Sequence, residues 1–150
     1  MNILKFIEIN GDISKKIDEI AELEKECFGS GSIDHWVIRP IARYGKIYCI
    51  EKIGEIVAFA EIIRCWNRDE VFLFSFGVTT KERGMGIGSY LMENIIEKLK
   101  IEKIRKIKLT VAEENGAAKK LYMKFGFVQK AKLKDEYGAG NSRILMEYIF

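Results

Sequence analysis

Arg83-Gly84-Met85-Gly86-Ile87-Gly88, RGMGIG, stands between the apolar run VFLFSFGV (71–78) and the amphipathic run SYLMENIIEKLK (89–100). Glycine at every second position lets a chain turn tightly and lets backbone N–H groups approach an oxyanion. A helix starting at such a loop points its positive end at the same place. Arg83 adds a fixed cation, so the stretch reads as strand, anion-binding loop and helix. A glycine-rich strand-to-helix connection with no ligand is the alternative.

The spacing narrows the anion. A P-loop needs GxxxxGK followed by Ser or Thr, because its lysine reaches the terminal phosphates, and no such lysine is present. A dinucleotide loop needs GxGxxG, but counting from Gly84 the third glycine position falls on Ser89. The ribose-binding acid expected further on is at best Glu102, so a nicotinamide-dependent oxidoreductase is a poorly fitting rival.

Working outward, 2–9 is short and rich in β-formers, and the following helix carries Ile13, Ile17, Ile20, Leu23 and Phe28 at three-to-four-residue spacing. The GSGS run at 29–32 ends it. A second, irregular helix then has Ile33, Trp36, Val37 and Ile41 on one side and is interrupted by Pro40. KIYCIEKIGEIVAFAEIIRCW and EVFLFSFGVTT predict a three-stranded antiparallel meander with turns at 52–55 and 67–69. After RGMGIG, Ile87, Leu91, Ile95 and Leu99 form an i, i+4 row, and IRKIKLTVA is the next strand. The unit from Val71 to Ala112 is β-loop-α-β, so its strands should be parallel. Asn115 caps a helix whose Ala118, Leu121, Tyr122 and Phe125 share one face, with Gly126 at the left-handed C′ position. Two strands close the chain. The class is α/β, with both kinds of strand pairing and no internal repeat.

A chain of 150 residues with 48% hydrophobic and 31% charged residues suits one globular domain spanning 1–150. Lysine and arginine exceed aspartate and glutamate by 25 to 22, too weak an excess to argue for nucleic acid. KLKIEKIRKIK (98–108) reads as the solvated end of a helix running into a strand. No apolar run approaches the roughly 20 residues that span a bilayer. Cys27, Cys49 and Cys65 have no CxxC spacing and the chain opens on MNILKFIEIN, which fits a soluble protein of the reducing cytoplasm, neither nucleic-acid-bound nor membrane-bound. No metal-ligand spacing is present, and a homodimer is compatible with the composition.

The run V-TTKE-RGMGIG-SYLM from Val78, then LTV at 109–111 and N-GAAKK-LY-MK-FGF at 115–127, resembles the GNAT superfamily of acetyl-coenzyme A-dependent N-acetyltransferases. The resemblance implies a mixed, mostly antiparallel sheet of about seven strands with about four helices, its fourth and fifth strands parallel and splayed. It implies that Arg83, Gly86 and Gly88 hold the coenzyme A pyrophosphate, with backbone donors from Gly84, Met85, Ile87 and Ser89. Main-chain groups of Phe76 and Val78 would pair with pantetheine, and Asn115 and Ala118 would border the cofactor. No metal is implied.

Acetyl transfer from a thioester to an amine needs a stabilised oxyanion, an unprotonated amine and a protonated leaving thiol. The resemblance gives Tyr122 the role of acid to the thiolate, against the alternative of a core tyrosine on an apolar helix face. The backbone N–H of Val78 would serve the oxyanion. Some relatives, ribosomal-protein alanine acetyltransferases among them, carry a glutamate where this chain has Thr110, so their base does not transfer. Glu61 is a candidate base if its side chain faces the cleft; Glu113, Glu114 or a water chain are the others. His35 reads as a surface histidine, and the cysteines as structural thiols. Trp36, Arg39, Arg43, Trp66, Tyr137 and Arg143 are candidate acceptor contacts, Trp36 and Tyr137 foremost. The DEYGAG loop (135–140) resembles the tyrosine-bearing loop of acetyltransferases acting on protein N-termini. The expected function is acetyl transfer to a primary amine, of a protein N-terminus or a small molecule, in a ternary complex. The alternative is a non-catalytic acyl-coenzyme A-sensing domain.

Overall fold

In the computed structural model, which describes residues 3–10 and 14–150, the chain runs β1 (Leu4–Ile9), α1 (Ser14–Phe28), α2 (His35–Tyr44), β2 (Lys46–Lys52), β3 (Glu55–Arg64) and β4 (Glu70–Val78). It continues with α3 (Ile87–Ile101), β5 (Lys106–Val111), α4 (Gly116–Phe125), β6 (Val128–Leu133) and β7 (Arg143–Ile149). Asn2 and Ile13, assigned above to the first strand and helix, lie outside the described residues. The strands form one sheet in the order β1-β2-β3-β4-β5-β7-β6, antiparallel except between β4 and β5.

Local chemistry sets much of this. Ile53 and Gly54, at φ 52° and 75°, supply the two left-handed residues that a tight two-residue hairpin needs between β2 and β3. Asn115 accepts the Ala118 N–H at 3.2 Å and starts α4, and Gly126 at φ 103° ends it.

Each sheet face buries its own cluster. Tyr48, Ala60, Ile62 and Leu73 pack against Leu91, Ile95 and Leu99 of α3 and Tyr122 of α4. Ile47, Cys49 and Phe59 pack on the other face against Ile17 and Ile20 of α1 and Ile38 of α2. Burying one such side chain contributes about 1.5–3 kcal/mol, so the two clusters hold both helix pairs down.

Helix α2 departs from the sequence reading in two respects. It runs continuously through Pro40. The proline removes only the bond to the Trp36 carbonyl, in an exposed first turn where water can serve it. Its buried stripe is Ile38, Ile41 and Ala42, and Trp36 is 87% exposed rather than on the packed side. The asymmetry follows from the i, i+3, i+4 spacing of those three, which outweighs one large aromatic. The strand half of the basic run is also less free than expected: Lys106 and Lys108 reach Glu70 at 3.4 and 3.6 Å, and Lys106 reaches Glu147 at 3.2 Å.

Two irregularities open the sheet. Glu61 pairs with Ser75 and Ile62 with Leu73, so Phe74 is an extra, bulged residue in β4. β4 and β5 pair only from Glu70↔Lys106 to Leu73↔Leu109. Beyond that, β4 continues to Val78 and β5 to Val111 without each other, and a gap opens between them.

Candidate active site

The gap is lined by backbone. The Thr79 N–H bonds the Val57 carbonyl at 2.8 Å, which fixes the phase of the β3–β4 ladder. Ala58↔Val78 and Ala60↔Phe76 are then non-hydrogen-bonded pairs, whose β4 N–H and C=O groups point away from β3 into the gap. Phe76, singled out from sequence, presents its main-chain donor and acceptor there, and Val78, also singled out, its N–H, the Val78 carbonyl being taken by Arg83 Nε.

At the end of β4 the chain passes through a 3₁₀ turn (Thr80–Glu82) into the glycine loop. Gly84 and Gly86 have φ of 80° and 79°, which an L side chain adopts only at a cost. No described atom lies within 4 Å of where a Cβ would stand on either, so the loop borders open space. The first bond within α3 is from the Tyr90 N–H to the Gly86 carbonyl, 3.0 Å, and Gly86 brings no capping side chain. The N–H groups of Ile87, Gly88 and Ser89 are left for an anion. A Cβ at Gly88 would meet Leu121 and Val78 at 3.5 Å and Phe76 at 3.7 Å, so this turn lies directly against β4 and α4. Lys124 reaches Ser89 Oγ at 3.2 Å, a second cation at the cradle that the sequence reading missed. The Met85 side chain is exposed. Arg83 turns back toward the strand: its Nε donates to the Val78 carbonyl at 3.0 Å and its terminal nitrogen lies 3.5 Å from Cys27 Sγ. The donor set fits a pyrophosphate.

Tyr122 is brought to the same place. Its ring meets Phe76 edge-on at 6.1 Å and leans on Phe127 at 5.7 Å, and it is 7% exposed. Its hydroxyl bonds no described residue. Burial pushes the phenol well above its ordinary range, so it keeps its proton at neutral pH. Ala118 and Leu121, on the same face of α4, pack beside it.

On the opposite face, Glu61 points at α1 and is fully buried, with no backbone or hydroxyl donor at either oxygen among the described residues. Burial, then the charge of Glu24, pushes it up to about 9. Glu24 of α1 is 1% exposed, and sequence reasoning missed it. It accepts from Ser75 Oγ at 2.5 Å and from the Ile33 N–H at 3.5 Å. Burial raises Glu24, and those two bonds partly offset the rise. A signal was present: Ile17, Ile20, Ala21 and Glu24 form one buried helical stripe, so Glu24 occupies a core position.

Tyr137 lies over β5, its hydroxyl 3.3 Å from Thr110 Oγ1 and its ring under Arg143 at 5.2 Å. Trp36 does not join it. Trp36 lines an open groove with His35, Arg39, Pro40, Arg43 and Tyr44, all residues of α2. Trp66 is 88% exposed. His35 bonds Asp18 at 2.7 Å on the surface, and Glu113 pairs with Lys132 at 3.1 Å. The Cys27 thiol, which burial pushes up, lies 3.6 Å from the Val78 carbonyl.

Residues 17–127 match the acetyltransferase (GNAT) family. An uncharacterized N-acetyltransferase of Methanocaldococcus jannaschii is 25% identical over 135 residues, 89% of this chain and 85% of its own. The ribosomal-protein-S18-alanine N-acetyltransferase of Escherichia coli superposes with a TM-score of 0.82 at 21% identity, over 99% of this chain and 94% of that one. Arabidopsis thaliana Naa50, in complex with the bisubstrate analogue CoA-Ac-MVNAL, does so with a TM-score of 0.82 at 18% identity, over 98% and 99%.

Proposed function

The chain belongs to the acetyltransferase (GNAT) family, and on that premise we propose that it transfers an acetyl group from acetyl-coenzyme A to a primary amine by direct attack in a ternary complex. One observation carries the reading. The splay after Leu73↔Leu109 leaves the main-chain groups of Phe76 and the Val78 N–H facing a gap that ends at the glycine cradle and borders Tyr122.

Acetyl-coenzyme A supplies the thioester. The N–H groups of Ile87, Gly88 and Ser89, with Gly84 and Met85 in the loop before them, hold its pyrophosphate, and Arg83 and Lys124 add positive charge. Phe76 and Val78 pair with the pantetheine arm, and Asn115 and Ala118 border it. The Val78 N–H stabilises the oxyanion that develops at the acetyl carbonyl; such donors contribute about 3–4 kcal/mol where they have been removed. Tyr122 donates its proton to the departing thiolate, and its raised pKa suits a group that must arrive protonated. Glu61 belongs to the base side of the reaction: it is buried against Glu24, and Glu24 accepts from the partly exposed Ser75 on β4.

For the acceptor we propose an α-amine of a protein or peptide. The Escherichia coli neighbour is named for an alanine of ribosomal protein S18, and the Arabidopsis neighbour holds a peptide-bearing bisubstrate analogue. Here Tyr137, tied to Thr110 and Arg143, forms a fixed wall beside the gap, and Trp36 on α2 is a more distant contact for a longer acceptor. Thiol release from acetyl-coenzyme A, measured with a panel of peptides and small amines, tests the reading. Release with at least one primary amine supports it; tight binding of coenzyme A with no release by any amine points instead to a sensing domain.

A further inference from the structure

Glu24 and Glu61 are the two most deeply buried acidic side chains of the described residues, at 1% and 0% exposure, and they share one site beneath β4. Two ionised carboxylates offer only acceptors to each other and repel; one added proton turns repulsion into an O–H···O bond. Geometry says which carboxyl carries that proton. Glu24 receives two donors, Ser75 Oγ–H at 2.5 Å and Ile33 N–H at 3.5 Å, as an ionised carboxylate requires. Among the described residues no backbone or hydroxyl donor reaches Glu61, and the group it interacts with is Glu24, so Glu61 is the partner that holds the proton and donates it.

Among the described residues, no cation is in direct contact with either carboxyl; Arg83 is reached only through Cys27, whose Sγ it approaches at 3.5 Å, and Glu26 lies on the same side. Cys49 on the sheet interacts with Glu61 and Cys27 on α1 with Glu24, on the sheet face that also buries Phe59 and the Ile38, Ile41 and Ala42 stripe of α2. Lys16, which acts on Cys49, is engaged with Glu51. Burial of both carboxyls, with Glu61 pushed up to about 9, agrees with one proton held at neutral pH.

Ser75 is the partly exposed group bonded to the pair. It follows the Phe74 bulge on the splayed part of β4 and is only half-buried, whereas both carboxyls are sealed. We propose that Ser75 and Glu24 form the proton relay of the reaction, with Glu61 as a positioning residue that holds Glu24 through a shared proton. The proposal rests on the acetyltransferase reading above. The acceptor arrives as R–NH3⁺. Its N–H bond breaks as the Ser75 oxygen takes the proton, and the Ser75 O–H proton passes to Glu24. The products of the step are R–NH2 and a Glu24 carboxylic acid, which returns its proton to solvent after the acetyl group has moved.

The experiment is the pH profile of kcat/KM, by thiol release, for the parent, Glu24→Gln, Ser75→Ala and Glu61→Gln, with side-chain carboxyl ¹³C NMR of the parent. General-base loss is expected to lower turnover about 100-fold in Glu24→Gln, with coenzyme A affinity kept and the acidic limb gone. Ser75→Ala is expected to fall about 10-fold, and Glu61→Gln to fall less than Glu24→Gln while keeping the acidic limb. NMR is expected to show Glu61 protonated and Glu24 ionised at pH 7. An acidic limb that survives in Glu24→Gln, one erased in Glu61→Gln, or the reverse ionisation order overturns the relay while leaving acetyl transfer standing. If Glu24→Gln does not fold, the Ser75→Ala profile and the NMR order decide. A parent that releases no thiol with any amine sinks both readings together.

Discussion

At Gly77 α1 packs tightly against β4, and replacing the glycine with alanine measures how tightly that contact is made. A Cβ at Gly77 would stand 2.8 Å from Phe59 Cε1 and 2.9 Å from both Cys27 Sγ and Phe59 Cζ. Phe59 is fully buried and has no room to yield, so Cys27 or the strand must move. Overpacking of this kind costs about 1–3 kcal/mol. For a domain of this length each kcal/mol lowers the midpoint by about 2–4 °C, so Gly77→Ala is expected to melt about 2–12 °C below the parent. Cys27→Ala removes one of the two obstacles and is expected to recover part of the loss in a double-mutant cycle. The assay is thermal unfolding by circular dichroism of the parent, both single variants and the double. A Gly77→Ala midpoint equal to the parent's, or a double variant whose loss is the sum of the singles, would refute the contact as described.

Tyr122→Phe is expected to lower turnover about 100-fold or more with coenzyme A affinity kept, because only a proton donor is lost. Its unfolding free energy should change by less than about 0.5 kcal/mol, since the hydroxyl bonds no described residue; steady-state kinetics and urea unfolding check the two halves. Gly86→Val puts a β-branched residue at φ 79°, and is expected to lose about 1–2 kcal/mol of stability and to bind coenzyme A more weakly in calorimetry. Glu61 binds its proton more tightly folded than unfolded, so stability falls as pH rises from the ordinary carboxyl range toward about 9. Denaturant midpoints of Glu61→Gln across that window should be flatter than the parent's; parallel curves would contradict the assignment.

The glycine loop was legible because its requirements are local: positive φ, a helix start and a cap are properties of a few adjacent residues. The i, i+4 row of α3 and the Asn115 and Gly126 ends of α4 were legible for the same reason. What stayed hidden depends on where faces point. In VFLFSFGV both faces of the strand are packed, so no alternation marks the Phe74 bulge that decides which way Ser75 points. Glu24 went unremarked among the lysines and glutamates of α1, although its spacing from Ile17 places it on the buried stripe. Trp36 misled in the opposite sense, a large apolar residue left in water because its helix already had a stripe to bury. The Lys124 contact with Ser89 joins two helices across a long stretch of chain, and no local spacing announces it.

Mass analysis of a peptide with a free α-amine, incubated with the protein and acetyl-coenzyme A, tests the central claim most directly. The reading above predicts an N-acetylated peptide formed in step with free thiol, and much more slowly by Tyr122→Phe. A peptide panel recovered unmodified from a protein that binds coenzyme A tightly would contradict it.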